Sequence, residues 1–128
     1  MPNFKFLALI ISFVTLACLN IKAYAITENQ YLVINKLIDE ENIDKAFSDL
    51  KFLQKNQSKL SARSQILIGK IYLALEQPAK AFGFFEQATF TSVSTDDLAY
   101  AGMSMSAIKL GNLPEAKTYA EKALNENP

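Results

Sequence analysis

The residue types that most often carry acid–base, nucleophilic and metal chemistry are almost missing from this chain. It has no histidine, and its single cysteine, Cys18, lies in an apolar run near the N-terminus. Histidine is the side chain best suited to proton transfer near neutral pH, so neither a Ser-His-Asp nor a Cys-His arrangement can be assembled. A zinc site of His and Cys ligands cannot be assembled either. The densest acidic stretch, Asp39-Glu40-Glu41-x-x-Asp44, lacks the alternating oxygen ligands and the glycine of an EF-hand loop. It reads as a solvated turn. No pairing of carboxylates with lysine or tyrosine stands out. The sequence therefore points away from an enzyme, with no cofactor and no metal, and toward a molecule that works by binding.

Charge narrows the partner. Thirteen basic residues balance thirteen acidic ones. Such a chain has no basic excess with which to release counterions from nucleic acid. Half of its residues are hydrophobic, enough for one domain with a modest core.

The first 25 residues read as a signal peptide. A short segment with one lysine, Lys5, precedes an apolar run over residues 6–19, broken only by Ser12 and Thr15. A helix of that length spans about 21 Å, short of the roughly 30 Å hydrocarbon core. Ala23-Tyr24-Ala25 then offers the small residues that signal peptidase requires, with cleavage after Ala25. Removing this segment, with Lys5 and Lys22, leaves a net charge of about −2 by charge counting. Thr15-Leu16-Ala17-Cys18 gives a second reading, a bacterial lipobox whose cysteine carries the lipid, although Thr15 stands where an aliphatic residue is usual. An uncleaved apolar anchor is the third. The first reading places the protein outside the cytoplasm, in the periplasm; the second anchors it to a membrane.

The elements that must position any binding surface show a period of 35 residues. Ala46, Ala81 and Ala116 are one period apart, as are Val33, Ile68 and Met103. The same shift aligns Leu37 with Tyr72 and Ala107, Leu50 with Phe85 and Ala120, and Leu53 with Ala88 and Ala123. The units span about 27–61, 62–96 and 97–128 within a domain of residues 26–128. Each reads as helix, turn, helix, with apolar residues at i, i+4 and i+7. The predicted helices are about 28–41, 44–57, 62–76, 79–91, 96–110 and 114–126. Thr27 and Gln30 have capping-box spacing. Thr95, with Asp96 and Asp97, reads as a cap followed by two acids at a positive helix end. Pro78 and Pro114 fit the first turns of their helices.

These units resemble the tetratricopeptide repeat family. The middle unit carries Ile68-Gly69-x-x-Tyr72, then Ala81, Phe85 and Ala88. The last carries Gly111-Asn112-Leu113-Pro114-Glu115-Ala116, then Tyr119, Ala123-Leu124 and Pro128. The first unit departs from the pattern, with Ile34 where a small residue is usual and Leu53 where alanine is usual. The resemblance implies an all-α, right-handed superhelical solenoid of three helix-turn-helix repeats. Gly69 and Ser104 would then let paired helices approach, and large residues such as Tyr72 and Phe85 would fill the space between units. Stacked units bury apolar faces that a single hairpin cannot. Phe82 and Phe85 share a face toward the third unit; Phe84 points elsewhere, as a surface residue or part of a convex patch.

The resemblance also implies a concave groove lined by the first helix of each unit. In the first unit the groove positions are Glu28, Tyr31, Leu32, Asn35, Ile38 and Asp39. In the middle unit they are Arg63, Ile66, Leu67, Lys70, Leu73 and Ala74, and in the last Leu98, Ala101, Gly102, Met105, Ile108 and Lys109. Some members of the family clamp a C-terminal carboxylate with a basic and Asn set in this groove, but here only Asn35 matches. The wall is mainly apolar and suits an amphipathic helix or apolar segment of another protein, unless its Leu and Ile residues serve as core. The expected function is an exported protein-binding scaffold, in envelope assembly or secretion by analogy with exported members. The last helix is expected to expose a seam of Ala116, Ala120 and Leu124, inviting weak self-association, a partner or further units. Pentatricopeptide-like RNA binding is the reading of another class, and the balanced charge and export signal oppose it. N-terminal sequencing of the exported form is expected to start at Ile26; a lipid-bearing start at Cys18 would select the lipoprotein.

Overall fold

A computed structural model describes residues 26–55 and 59–128; the signal residues Ala23 and Ala25, and Cys18, lie outside them. The described residues form six α-helices: α1 (Glu28–Asp39), α2 (Ile43–Gln54), α3 (Ala62–Ala74), α4 (Pro78–Thr91), α5 (Asp96–Lys109) and α6 (Leu113–Glu126). A single turn of 3-10 helix, Val93–Thr95, leads into α5. No strand occurs among the described residues. Successive helices pair as hairpins, and α4 packs along α5 to join the second hairpin to the third. The architecture is an all-helical repeat solenoid.

The helix starts follow the local chemistry. Thr27 Oγ1 accepts from the Gln30 amide at 3.2 Å, and Gln30 Oε1 accepts from the Thr27 amide at 3.0 Å, completing the expected capping box. Ser61 caps α3 by accepting from the Ser64 amide at 3.2 Å. Pro78 and Pro114 occupy the first turns of α4 and α6, where a missing N–H costs nothing. Thr95 does not behave as expected. Its hydroxyl donates backwards to the Ser92 carbonyl at 3.3 Å, because the 3-10 turn has already begun at Ser92, whose own hydroxyl accepts from the Ser94 amide.

The turns inside the hairpins show the repeat most directly. Glu41, Glu76 and Gly111 all have positive φ, at 60°, 56° and 79°. They are one period apart. In each turn the next amide reaches back five residues: Asn42 to the Leu37 carbonyl, Gln77 to Tyr72 and Asn112 to Ala107, at 2.8, 2.8 and 2.9 Å. This is the Schellman closure, which satisfies carbonyls that a helix end would otherwise leave unpaired.

Phe85 organises the packing. Its ring is fully buried and lies against Gly69 of its own hairpin and Gly102 of the next. A Cβ placed on Gly69 would lie 2.8 Å from the ring, and one on Gly102 would intrude further still. Both first helices lack a side chain where the ring passes. Ser104 also meets its hairpin partner closely, its buried hydroxyl donating to the Ala116 carbonyl at 2.7 Å. Phe82 packs edge-on against Tyr119 of the third hairpin, ring centroids 5.6 Å apart. Phe84 is half-buried and stacks on Tyr72 at 5.5 Å, so it is not a free convex patch.

Gly102→Ala is therefore expected to destabilise the fold by about 1–3 kcal/mol through overpacking, despite a helix-propensity gain of up to about 1 kcal/mol. Shrinking the ring with Phe85→Leu in the same chain should recover part of that loss, a non-additivity measurable by urea unfolding of the two single variants and the double.

Candidate protein-binding groove

The first helices of the hairpins, α1, α3 and α5, share one wall. Ile38 and Asp39 of α1, Lys70 and Leu73 of α3, and Leu98, Ala101, Gly102 and Met105 of α5 surround a cleft of about 350 Å³, and Phe85 reaches it from α4. Leu98 is 39% and Met105 54% exposed, so apolar surface faces solvent at the rim. Leu73 is buried and forms part of the floor. Phe85, itself fully buried, comes up beneath the cleft in the space that Gly102 leaves by having no side chain.

One polar strip crosses the apolar wall. The Lys70 ammonium donates to Asn35 Oδ1, and Asn35 Nδ2 donates to Asp39 Oδ2 at 3.1 Å. Burial holds the Lys70 pKa below the ordinary lysine value, and the negative charge of Asp39 opposes the shift. The two other cations proposed for the groove are engaged elsewhere. Arg63 pairs with Glu28 and donates to the Ile26 carbonyl at 3.3 Å, tying α3 to the start of α1. Lys109 reaches both carboxylate oxygens of Glu76, at 3.0 and 3.1 Å, bridging the second and third hairpins. Such exposed pairs add little stability, but they occupy the charges that would otherwise attract an anionic tail.

The cleft thus brings together Ile38, Lys70, Leu73, Leu98 and Met105 of the sequence-derived set, with Asn35 joined through Lys70. Leu32 and Ile108 are exposed but lie outside its lining. Three residues need correction. Ile66 and Leu67 are fully buried and Tyr31 is nearly so. The middle unit is covered from both sides, by the first hairpin and by α4 and α5. Only a narrow strip of α3 reaches the groove, and apolar residues beside that strip become core. Phe85 is the lining residue that sequence reasoning placed only in the core; its access depends on an absent side chain on a neighbouring helix. The C-terminal seam is also smaller than expected. Ala116 is buried and Ala120 half-buried, leaving Leu124 exposed.

A family model for the tetratricopeptide repeat matches residues 98–128, which span most of α5 and all of α6. This match places residues 98–128 in the tetratricopeptide repeat family. No curated protein and no solved structure matches it. Tetratricopeptide repeats are generally non-catalytic scaffolds for protein–protein interaction, and in this chain the first helix of the matched repeat supplies Leu98, Ala101, Gly102 and Met105 to the cleft. The two preceding hairpins have the same turn geometry in the same register.

The polar strip has a measurable signature. The folded state binds fewer protons at Lys70 than the unfolded chain does. The resulting penalty is complete below the folded pKa and disappears as pH rises through the interval up to the unfolded value. Asn35→Leu removes the acceptor, and should lower the Lys70 pKa further while costing about 1 kcal/mol. An NMR titration of the Lys70 side chain, with thermal melts, checks both. An unchanged titration would show that Asn35 does not stabilise the ammonium.

Proposed function

We propose that this protein is an exported scaffold that holds an apolar or amphipathic segment of another protein in the cleft between α1, α3 and α5. One observation carries the reading. The cleft is open, walled by Ile38, Leu73, Leu98 and Met105, and crossed by a single internally bonded polar strip. An amphipathic helix offers such a surface its apolar face, and the unbranched thioether of Met105 adjusts to varied shapes. A site for an acidic tail would instead present free cations. Export rests on the pattern of residues 1–25, which suits a periplasmic protein; a role in envelope assembly or secretion is proposed by analogy with exported members of the family. The alternative is lipid anchoring at Cys18, which would keep the same scaffold at a membrane surface. The balanced charge disfavours RNA as the partner.

Leu98→Glu and Met105→Glu alter exposed rim residues. Each is expected to stay folded, with stability changed by no more than about 0.5 kcal/mol, as for most surface substitutions. A photo-crosslinking residue at Ala101 should capture the partner in the parent chain, and capture should fall sharply in either Glu variant. Leu67→Glu should melt far below the parent, because an unpaired charge would be buried in the core. Undiminished capture of the same protein by folded Glu variants would rule out the cleft as the binding site.

A further inference from the structure

The first hairpin differs from the other two at its seam. Where α3 and α5 carry Gly69 and Ser104, α1 carries Ile34; where α4 and α6 carry Ala88 and Ala123, α2 carries Leu53. Ile34 is buried and Leu53 half-buried. Two branched side chains at positions built elsewhere from Gly, Ser and Ala keep the helices from closing. Accordingly, α1 and α2 pack less closely than the helices of the other two hairpins. The gap is a second cleft, of about 300 Å³, walled by Val33, Ile34, Phe52 and Leu53, with Asn29, Gln30 and Asp49 also in its lining. Val33 is 60% and Phe52 77% exposed, whereas the residues at the register of Val33 in the other units, Ile68 and Met103, are buried.

We propose that this cleft is the contact surface for a second copy of the chain, the two first hairpins meeting about a two-fold axis with Phe52 of each copy entering the cleft of the other. An isologous contact requires knob and hole on the same surface, and this surface has both. It is also nearly uncharged. Asp49, the single ionised group in its lining, is held by Lys45 of its own helix at 3.0 Å. Two identical patches can meet without opposing like charges, whereas a charged foreign partner would find no counter-charge. The exposed apolar patch, centred on Val33 and Phe52, is small beside the ~800 Å² per partner of a standard stable interface, so the dimer is weak and concentration-dependent. Residues 33 and 35 of α1 lie about 200° apart around the helix, so pairing at Val33 leaves Asn35 and the concave cleft open.

The test is sedimentation velocity of the purified full chain across micromolar to millimolar concentration. The parent should shift toward dimer. Phe52→Glu should weaken the association by at least about tenfold, as loss of an aromatic anchor does, while Leu124→Glu at the far end leaves it unchanged. Circular dichroism establishes that each variant is folded; Val33→Glu serves in place of Phe52→Glu if the latter unfolds. A photo-crosslinker at Asn29, an exposed residue lining the same cleft, should yield a product of twice the chain mass. A parent that stays monomeric throughout, folded Phe52→Glu and Val33→Glu variants that dimerise as well as the parent, dimerisation lost in Leu124→Glu, or crosslinking only to a different protein would each overturn the proposal.

Discussion

The stack depends on one ring passing two missing side chains. Phe85 projects from α4, and neither Gly69 on α3 nor Gly102 on α5 has a Cβ to obstruct it. A single buried residue thereby closes its own hairpin and docks the next. The corresponding positions in the preceding unit are Leu50, Ile34 and Leu67, all buried. There the space between helices is filled by three medium side chains rather than one large and two absent. In the last unit the set is Ala120 with Ser104, both small. The side chains that meet at these positions thus change in size from unit to unit, and in a close-packed interior the fit of the helices changes with them. A Cβ at either glycine would meet the ring, so the ring or its neighbours must shift to admit one.

Much of this was legible in the sequence because the period of 35 is carried by small residues as well as large ones. Ala46, Ala81 and Ala116 fixed the register, and the capping box at Thr27 and the prolines at 78 and 114 fixed three helix starts. The helix ends were less legible. Each Schellman turn needs a residue in the left-handed region, but only Gly111 is of the type that announces it. Glu41 and Glu76 adopt the same conformation because the hairpin imposes it, and nothing in a glutamate signals that beforehand. Thr95 misled for the opposite reason: its type and spacing suit a cap, but the chain had already turned at Ser92.

The candidate site was legible only in part, for a geometric reason. Periodicity identifies the apolar face of a helix, but core and groove are both apolar. In α3 the two meet within one turn, where Ile66 and Leu67 are core and Lys70 and Leu73 reach the cleft. Distinguishing them requires knowing how many neighbours cover the helix, which depends on tertiary packing. Lys70 shows the same dependence. In sequence it is one lysine among several, yet its burial beside Asn35 and Asp39 makes it a fixed part of the wall, whereas Arg63 and Lys109 bridge units at the edges.

Two opposite changes of side-chain size at the seams account for both clefts. The absence of a side chain at Gly102 lets the third hairpin close on the second over the buried Phe85 ring, which underlies the concave cleft where the first helices converge. Adding side chains at Ile34 and Leu53 has the reverse effect on the first hairpin, holding α1 from α2 and leaving an apolar gap at the edge of the stack. The interior units therefore gain order and a formed groove, while the first unit gives up closure for exposed apolar surface. Repeat units normally bury their apolar faces against neighbours; Val33 and Phe52 stand 60% and 77% exposed, so the physics of the first hairpin asks for something to cover them.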